Sequence, residues 1–237
     1  MLRPVIFAML VAVSLAAASD TAYYQQKVTS RKHRHPLPSK QSLETRLDQQ
    51  QPLEFVYSEL ASKCGGGCAT ASLGGNKTVL FGPTGTWEFN LNTVGKWLHV
   101  PATDADPDIR GSSAMAPLGG GKALMYGGLD SKENSIYQDA WIYNTNGKSW
   151  TEVADGPEYR YSHAMASLGD SRVVMYGGLD DNSNDHNDTW IFTAPTTKDA
   201  AGTWVRAKDG PQARDNHAMA SLGDSRVVMY GGEGGGY

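Results

Sequence analysis

The stretch His163-Ala-Met-Ala-Ser-Leu-Gly-Asp-Ser-Arg-Val-Val-Met-Tyr-Gly-Gly178 recurs without a change from His217 to Gly232. A related copy runs Ser113-Ala-Met-Ala-Pro-Leu-Gly-Gly-Gly-Lys-Ala-Leu-Met-Tyr-Gly-Gly128. A more divergent one runs Cys68-Ala-Thr-Ala-Ser-Leu-Gly-Gly-Asn-Lys-Thr-Val-Leu-Phe-Gly-Pro83. The copies start 45, 50 and 54 residues apart. Self-similarity on that scale marks an array in which each unit buries its apolar face against the next.

Each unit reads as four short strands. In the third unit the first strand is predicted around Ala164–Leu168, and Gly169-Asp170-Ser171 turns it into a second over Arg172–Tyr176. There Val173 and Met175 face one way while Val174 and Tyr176 face the other, the period-two alternation of a pleated strand. Gly177-Gly178 ends that strand, where the departing chain needs positive φ and close backbone approach. A polar loop leads to a third strand at Thr189–Thr193, and Trp204–Ala207 forms the fourth. In the preceding unit, Asn146-Gly147 is expected to join strands three and four as a tight hairpin turn.

The second half of the unit repeats as well. Trp87, Trp141 and Trp190 open the third strands, each with an aromatic residue two positions on, and Trp97, Trp150 and Trp204 open the fourth. These six are all the tryptophans of the chain, and every one is a repeat position. Asp139 and Asp188 stand two residues before their tryptophans, and Arg110, Arg160 and Arg214 each begin a unit. One small twisted sheet cannot bury both faces, so such sheets pack face to face around an axis, with the aromatic residues supplying apolar area between them. With its Gly-Gly pairs (Gly127-Gly128, Gly177-Gly178, Gly231-Gly232), its strand-three aromatics, its strand-four tryptophans and its unit-opening arginines, the chain resembles the kelch family over residues 53–237. The resemblance implies an all-β fold: a β-propeller of four-stranded antiparallel blades, incomplete at about three and a half. The units span approximately 59–109, 110–159, 160–213 and 214–237, the last cut short. Pro52–Ser58 is expected to form a lone fourth strand ahead of the first unit. The count does not close, which favours a truncated sequence over a small closed ring.

The 237 residues are 40% hydrophobic with a mean hydropathy of −0.44, as for a globular body rather than a multi-span membrane protein. Residues 1–18 read as a secretory signal peptide: Arg3, then an apolar run from Val5 to Leu15, then Ala16-Ala17-Ala18, with cleavage before Ser19. No later stretch is apolar enough to span a bilayer as a helix, so no membrane span is expected after cleavage, and the mature protein is expected to be extracellular. Residues 19–52 form a polar, basic segment of low order with six Lys/Arg against three Asp/Glu, including Arg31-Lys32-His33-Arg34. Residues 53–237 carry 14 Lys/Arg against 22 Asp/Glu. That acidic balance argues against nucleic acid as a partner.

The two cysteines, Cys64 and Cys68, flank three glycines. In an exported chain the pair suggests a local disulfide, with free or intermolecular thiols as the alternative; zinc would need further ligands that do not stand at metal spacing. Asn76 and Asn187 head N-glycosylation sequons, meaningful in a eukaryotic secretory pathway. His163 and His217 share one repeat position, which points to packing rather than ligation. The loop from Asp180 to Asp188 is rich in oxygen ligands but lacks the Gly and distal Glu of a helix–loop–helix calcium site, and so reads as a solvated loop. Gly119-Gly120-Gly121-Lys122 lacks the first Gly and the Ser/Thr of a phosphate loop and reads as a hairpin turn.

No catalytic constellation and no cofactor emerge. The expectation is a secreted binding module that recognises an extracellular protein or glycan through its inter-strand loops, since variable loops on a rigid scaffold carry recognition. The loops at Leu129–Tyr137 and Leu179–Asn187 vary most. The alternative is the N-terminal fragment of a galactose-oxidase-like or other kelch-propeller enzyme whose active site lies outside this chain.

Overall fold

The computed structural model describes residues 67–92, 96–197 and 200–234. The signal-peptide reading, the basic segment, the lone strand expected at Pro52–Ser58 and Cys64 lie outside the described residues. Cys68 is disulfide-bonded. The described residues are all β, with no helix long and apolar enough to cross a membrane.

Three antiparallel four-stranded blades follow one another. Blade one is β1 (Ala69–Gly74), β2 (Lys77–Gly82), β3 (Gly85–Asn90) and β4 (Trp97–His99). Blade two is β5 (Ala114–Gly119), β6 (Lys122–Tyr126), β9 (Ala140–Asn144) and β10 (Ser149–Val153). A small ribbon of β7 (Leu129–Asp130) and β8 (Ser135–Ile136) is inserted between its second and third strands. Blade three is β11 (Ala164–Gly169), β12 (Arg172–Tyr176), β13 (Thr189–Thr193) and β14 (Thr203–Arg206). The fourth unit contributes the hairpin of β15 (Asp215–Gly223) and β16 (Arg226–Glu233). The first strands are innermost, with β5 beside β1, β11 beside β5 and β15 beside β11. The fold is therefore the kelch-type propeller architecture that the repeats imply.

Each second strand divides its side chains between two neighbours, as the alternation requires. Ala123 and Met125 of β6 pack toward blade one with Val79 and Phe81, while Leu124 and Tyr126 pack toward blade three with Val173 and Met175. Val174 of β12 faces the opposite way, with Met219 and Val227 of the fourth unit. The strand-four indoles tie each blade to the one before. Trp150 Nε1 donates to Thr86 Oγ1 at 2.9 Å, and Trp204 Nε1 donates to the Ala154 carbonyl at 3.2 Å. Trp204 also lies 5.0 Å from the Tyr126 ring of blade two.

A second tie runs through the backbone. The amide of Ser112 donates to Gly67 O, that of Ser162 to Ser112 O, and that of Asn216 to Ser162 O, each at 2.9 Å. Gly67, Ser112 and Ser162 precede their inner strands and Asn216 is the second residue of β15, and all have positive φ: 137° at Gly67, 52° at Ser112, 56° at Ser162 and 52° at Asn216. A left-handed residue there turns its N–H sideways, out of its own sheet and toward the neighbour.

The Gly-Gly pairs explain themselves at the same corner. Gly128 N donates to Arg160 O and Gly178 N to Arg214 O, each at 2.9 Å. A Cβ on Gly127 would stand 2.5 Å from the Arg160 carbonyl oxygen, and one on Gly177 would be closer still to Arg214 O. The second glycine lies against its own unit: a Cβ on Gly178 would meet His163 Cβ at 2.7 Å, and one on Gly232 would meet His217 Cβ at 2.8 Å. Gly231, the counterpart of Gly177, has nothing within 4 Å of that position.

One local expectation needs correction. Asn146-Gly147 is not a two-residue hairpin turn: Asn144 pairs with Ser149 across a four-residue loop, and the left-handed residue is Lys148 (φ 50°). The Asn144 side chain accepts the Asn146 amide at 3.0 Å, and this local turn sets the longer loop.

His163 and His217 are buried against the tyrosine rings of the preceding blade, at 5.3 Å from Tyr126 and 5.5 Å from Tyr176. No hydrogen-bond partner reaches either ring nitrogen, so both residues serve as packing. Burial lowers the pKa of His163 well below the ordinary value, and that of His217 to about 4, with the nearby Arg160 and Arg214 adding to the effect.

Two outcomes follow from these corners. Gly231→Ala bears the left-handed φ alone and should cost about 1–2 kcal/mol, whereas Gly177→Ala adds the carbonyl contact and should cost about 1–3 kcal/mol more. Equal shifts in urea midpoint would remove the close approach as the reason for the motif. The histidines take up protons more readily in the unfolded chain, so stability should fall as pH drops from 6.5 toward about 4. The double variant His163→Leu/His217→Leu should flatten that slope, and an unflattened slope in urea titrations would argue against the histidines.

Candidate functional site

The loops between second and third strands are held at both ends. Where the chain enters a unit it pairs with the chain leaving the second strand: Gly111 bridges Leu129 and Tyr161 bridges Leu179. At the far end of the blade-two loop, Arg160 N donates to Tyr137 O at 3.3 Å. In the next unit Arg214 N donates to His186 O at 3.2 Å. Each loop is thereby fixed to the blade that follows.

The unit-opening arginines brace these loops from below. Arg160 is fully buried, donates to both oxygens of Asp188 at 2.7 and 2.9 Å, and reaches the Gly177 carbonyl at 3.1 Å. Burial pushes the Asp188 carboxyl up, but the Arg160 hydrogen bonds and charge outweigh it and hold the pKa below the ordinary value. Trp190 Nε1 donates to the same carboxylate at 2.6 Å. Arg110 repeats the arrangement with Asp139, which also accepts Trp141 Nε1 at 2.7 Å, and its guanidinium lies 3.5 Å over the Tyr137 ring. Arg214 donates to Gly231 O at 2.9 Å, as Arg160 does to Gly177 O.

Between the two braced loops lies a cleft of about 340 Å³. It is lined by Leu129, Asn134 and Ile136 of the blade-two ribbon, by Asp181 and Ser183 of the blade-three loop, and by Tyr159 and Tyr161 of the chain entering the third unit. Asn134 (φ 54°) and Ser183 (φ 59°) turn their loops in the left-handed region. Tyr159 is 52% exposed, a large aromatic surface left open at the cleft.

The other sequence-singled residues lie elsewhere. Asp180 accepts the amides of Asn182 and Asn184 at 2.9 and 2.8 Å and the Asn184 side chain at 2.9 Å. That side-chain bond is the main cause of its lowered pKa. The loop's carboxylates thus order the loop itself. Among the described residues no three His, Cys, Asp or Glu side chains stand together as a metal set. Gly119-Gly120-Gly121-Lys122 turns β5 into β6. Asn76 and Asn187 are both exposed, Asn76 at the β1–β2 turn and Asn187 just before β13.

Tyr159 and Tyr161 were not singled out by sequence reading. A signal existed: Arg160 is flanked by two tyrosines, whereas Ile109 and Gly111 flank Arg110, and Ala213 and Asp215 flank Arg214.

The blades, the glycine corners and the buried arginine–carboxylate pairs define a propeller built of kelch repeats. A family model described as the KLHDC2/KLHL20/DRC7 Kelch-repeats domain matches residues 118–237, and the chain belongs to this kelch-repeat family. No curated protein matched it. Kelch repeats of this kind suggest a protein-interaction module.

Asp188→Asn leaves the Arg160 guanidinium buried without its counter-charge and should cost about 3–5 kcal/mol in urea unfolding. Asp209→Asn, which breaks the exposed Arg206–Asp209 pair, should leave the midpoint nearly unmoved. Comparable losses would show that the buried pair does not brace the loops.

Proposed function

We propose that the chain is a secreted binding module that takes a segment of an extracellular protein in the cleft between blades two and three. The tyrosine-lined cleft between two braced loops carries this reading. Pocket sites place apolar and aromatic surface beside a few fixed polar groups, as Tyr159, Tyr161, Leu129 and Ile136 stand beside Asn134, Asp181 and Ser183. Loops fixed at both ends lose little entropy on binding, which favours affinity from a small contact. Export is supported by the Arg3 to Ala18 segment and by the disulfide-bonded state of Cys68.

A photo-crosslinking residue placed at Tyr159, with Val205 on the exposed outer strand as the control position, tests the reading in the medium of the producing cells. A discrete, protease-sensitive adduct from position 159 and none from 205 is expected. A glycosidase-sensitive adduct would instead make the occupant a glycan, and equal adducts from both positions would remove the cleft from the function.

A further inference from the structure

We infer that the cleft selects a cationic segment, with an arginine or lysine side chain of the partner lying against Tyr159 beside the Asp181 carboxylate; this rests on the protein-binding reading above. Of the side chains lining the cleft only Asp181 is charged, and it is a carboxylate. The segments that supply the other lining residues are acidic too, with Asp130, Glu133 and Glu158 next in sequence to Leu129, Asn134 and Tyr159. The arginines beneath are already neutralised, Arg160 by Asp188 and Arg110 by Asp139. On these loops that leaves Lys132 and the half-buried His186, whose Nδ1 lies 4.0 Å from Glu158 Oε2.

Two of these carboxylates are held by local hydrogen bonds. Asp130 accepts the Lys132 amide at 2.8 Å, and Asp181 accepts the Asn182 side chain at 2.8 Å. Acceptors fixed in advance add specificity for a donor-rich cation. The open phenol ring adds attraction through its negative face. The same protein shows this contact internally, where the Arg110 guanidinium sits over Tyr137. A volume of about 340 Å³ suits one or two side chains and not a folded surface. The acidic excess over residues 53–237 would draw such a segment in from a distance.

Selecting short random displayed peptides on the full chain, and counter-selecting on the Tyr159→Ser variant, tests the inference. Peptides that survive should be enriched in Arg or Lys beside an apolar residue. Their binding should weaken severalfold as salt is raised and severalfold again on Asp181→Asn, with the circular dichroism of that variant unchanged. Tyr159→Phe should retain binding, since the ring face and not the hydroxyl makes the contact. Peptides that depend on Tyr159 but are neutral or acidic would overturn the cationic inference and leave the protein-binding cleft standing. Failure to enrich any Tyr159-dependent peptide would overturn both.

Discussion

Two blades of this protein can meet only where one backbone comes within hydrogen-bonding distance of the next, and that meeting is set at the glycine corners. The carbonyls of Arg160 and Arg214 lie where a side chain of the preceding Gly-Gly pair would have to be. The second glycine's amide takes that same carbonyl as its acceptor. Close approach and hydrogen bond are one geometry, so the corner admits no Cβ on either side. The angle between neighbouring sheets follows, and with it the partition of each second strand's side chains between two cores.

Arg160 supplies both this carbonyl and a buried cation, and Arg110 is a buried cation at the same repeat position. In units two and three it is neutralised by an aspartate standing just before the third strand, and that aspartate receives the indole N–H of the strand-three tryptophan. A single side chain thereby fixes the corner, the end of the second strand and the return of the loop to the sheet. The loops above it begin and end on hydrogen bonds to the entering chain and to the following unit. A long polar loop between two strands would otherwise be the most mobile part of such a fold; here its ends are among the most constrained.

The strands were legible because their apolar alternation is strong and their turns carry glycine. Arg172–Tyr176 and Thr189–Thr193 fall where the pattern placed them. The partners of Arg160 were not legible, because a pair separated by 28 residues leaves no local trace. The blade-to-blade ladder through Gly67, Ser112, Ser162 and Asn216 left only a weak one: four residues that tolerate left-handed φ at a shared repeat position. The β7–β8 ribbon is too short and too polar to show a period, and Asn146-Gly147 misled because the Asn144 side chain chose a longer loop. The cleft escaped for a different reason. Repeats draw attention to what recurs, whereas Tyr159 and Tyr161 depart from the unit.

The two identical segments, His163–Gly178 and His217–Gly232, end in very different surroundings. Tyr176 is 3% exposed and Tyr230 is 73% exposed, though the strands that carry them match residue for residue. A chain in the act of folding therefore meets two hairpins with the same intrinsic preference for the flank of blade two. Local sequence cannot break that tie. The choice is left to the flanking segments, among them the Trp204 strand, whose indole reaches back to Ala154. Neighbouring twins of this kind are a known route to misassembly in repeat proteins, and contacts made outside the repeated segment are what tell them apart.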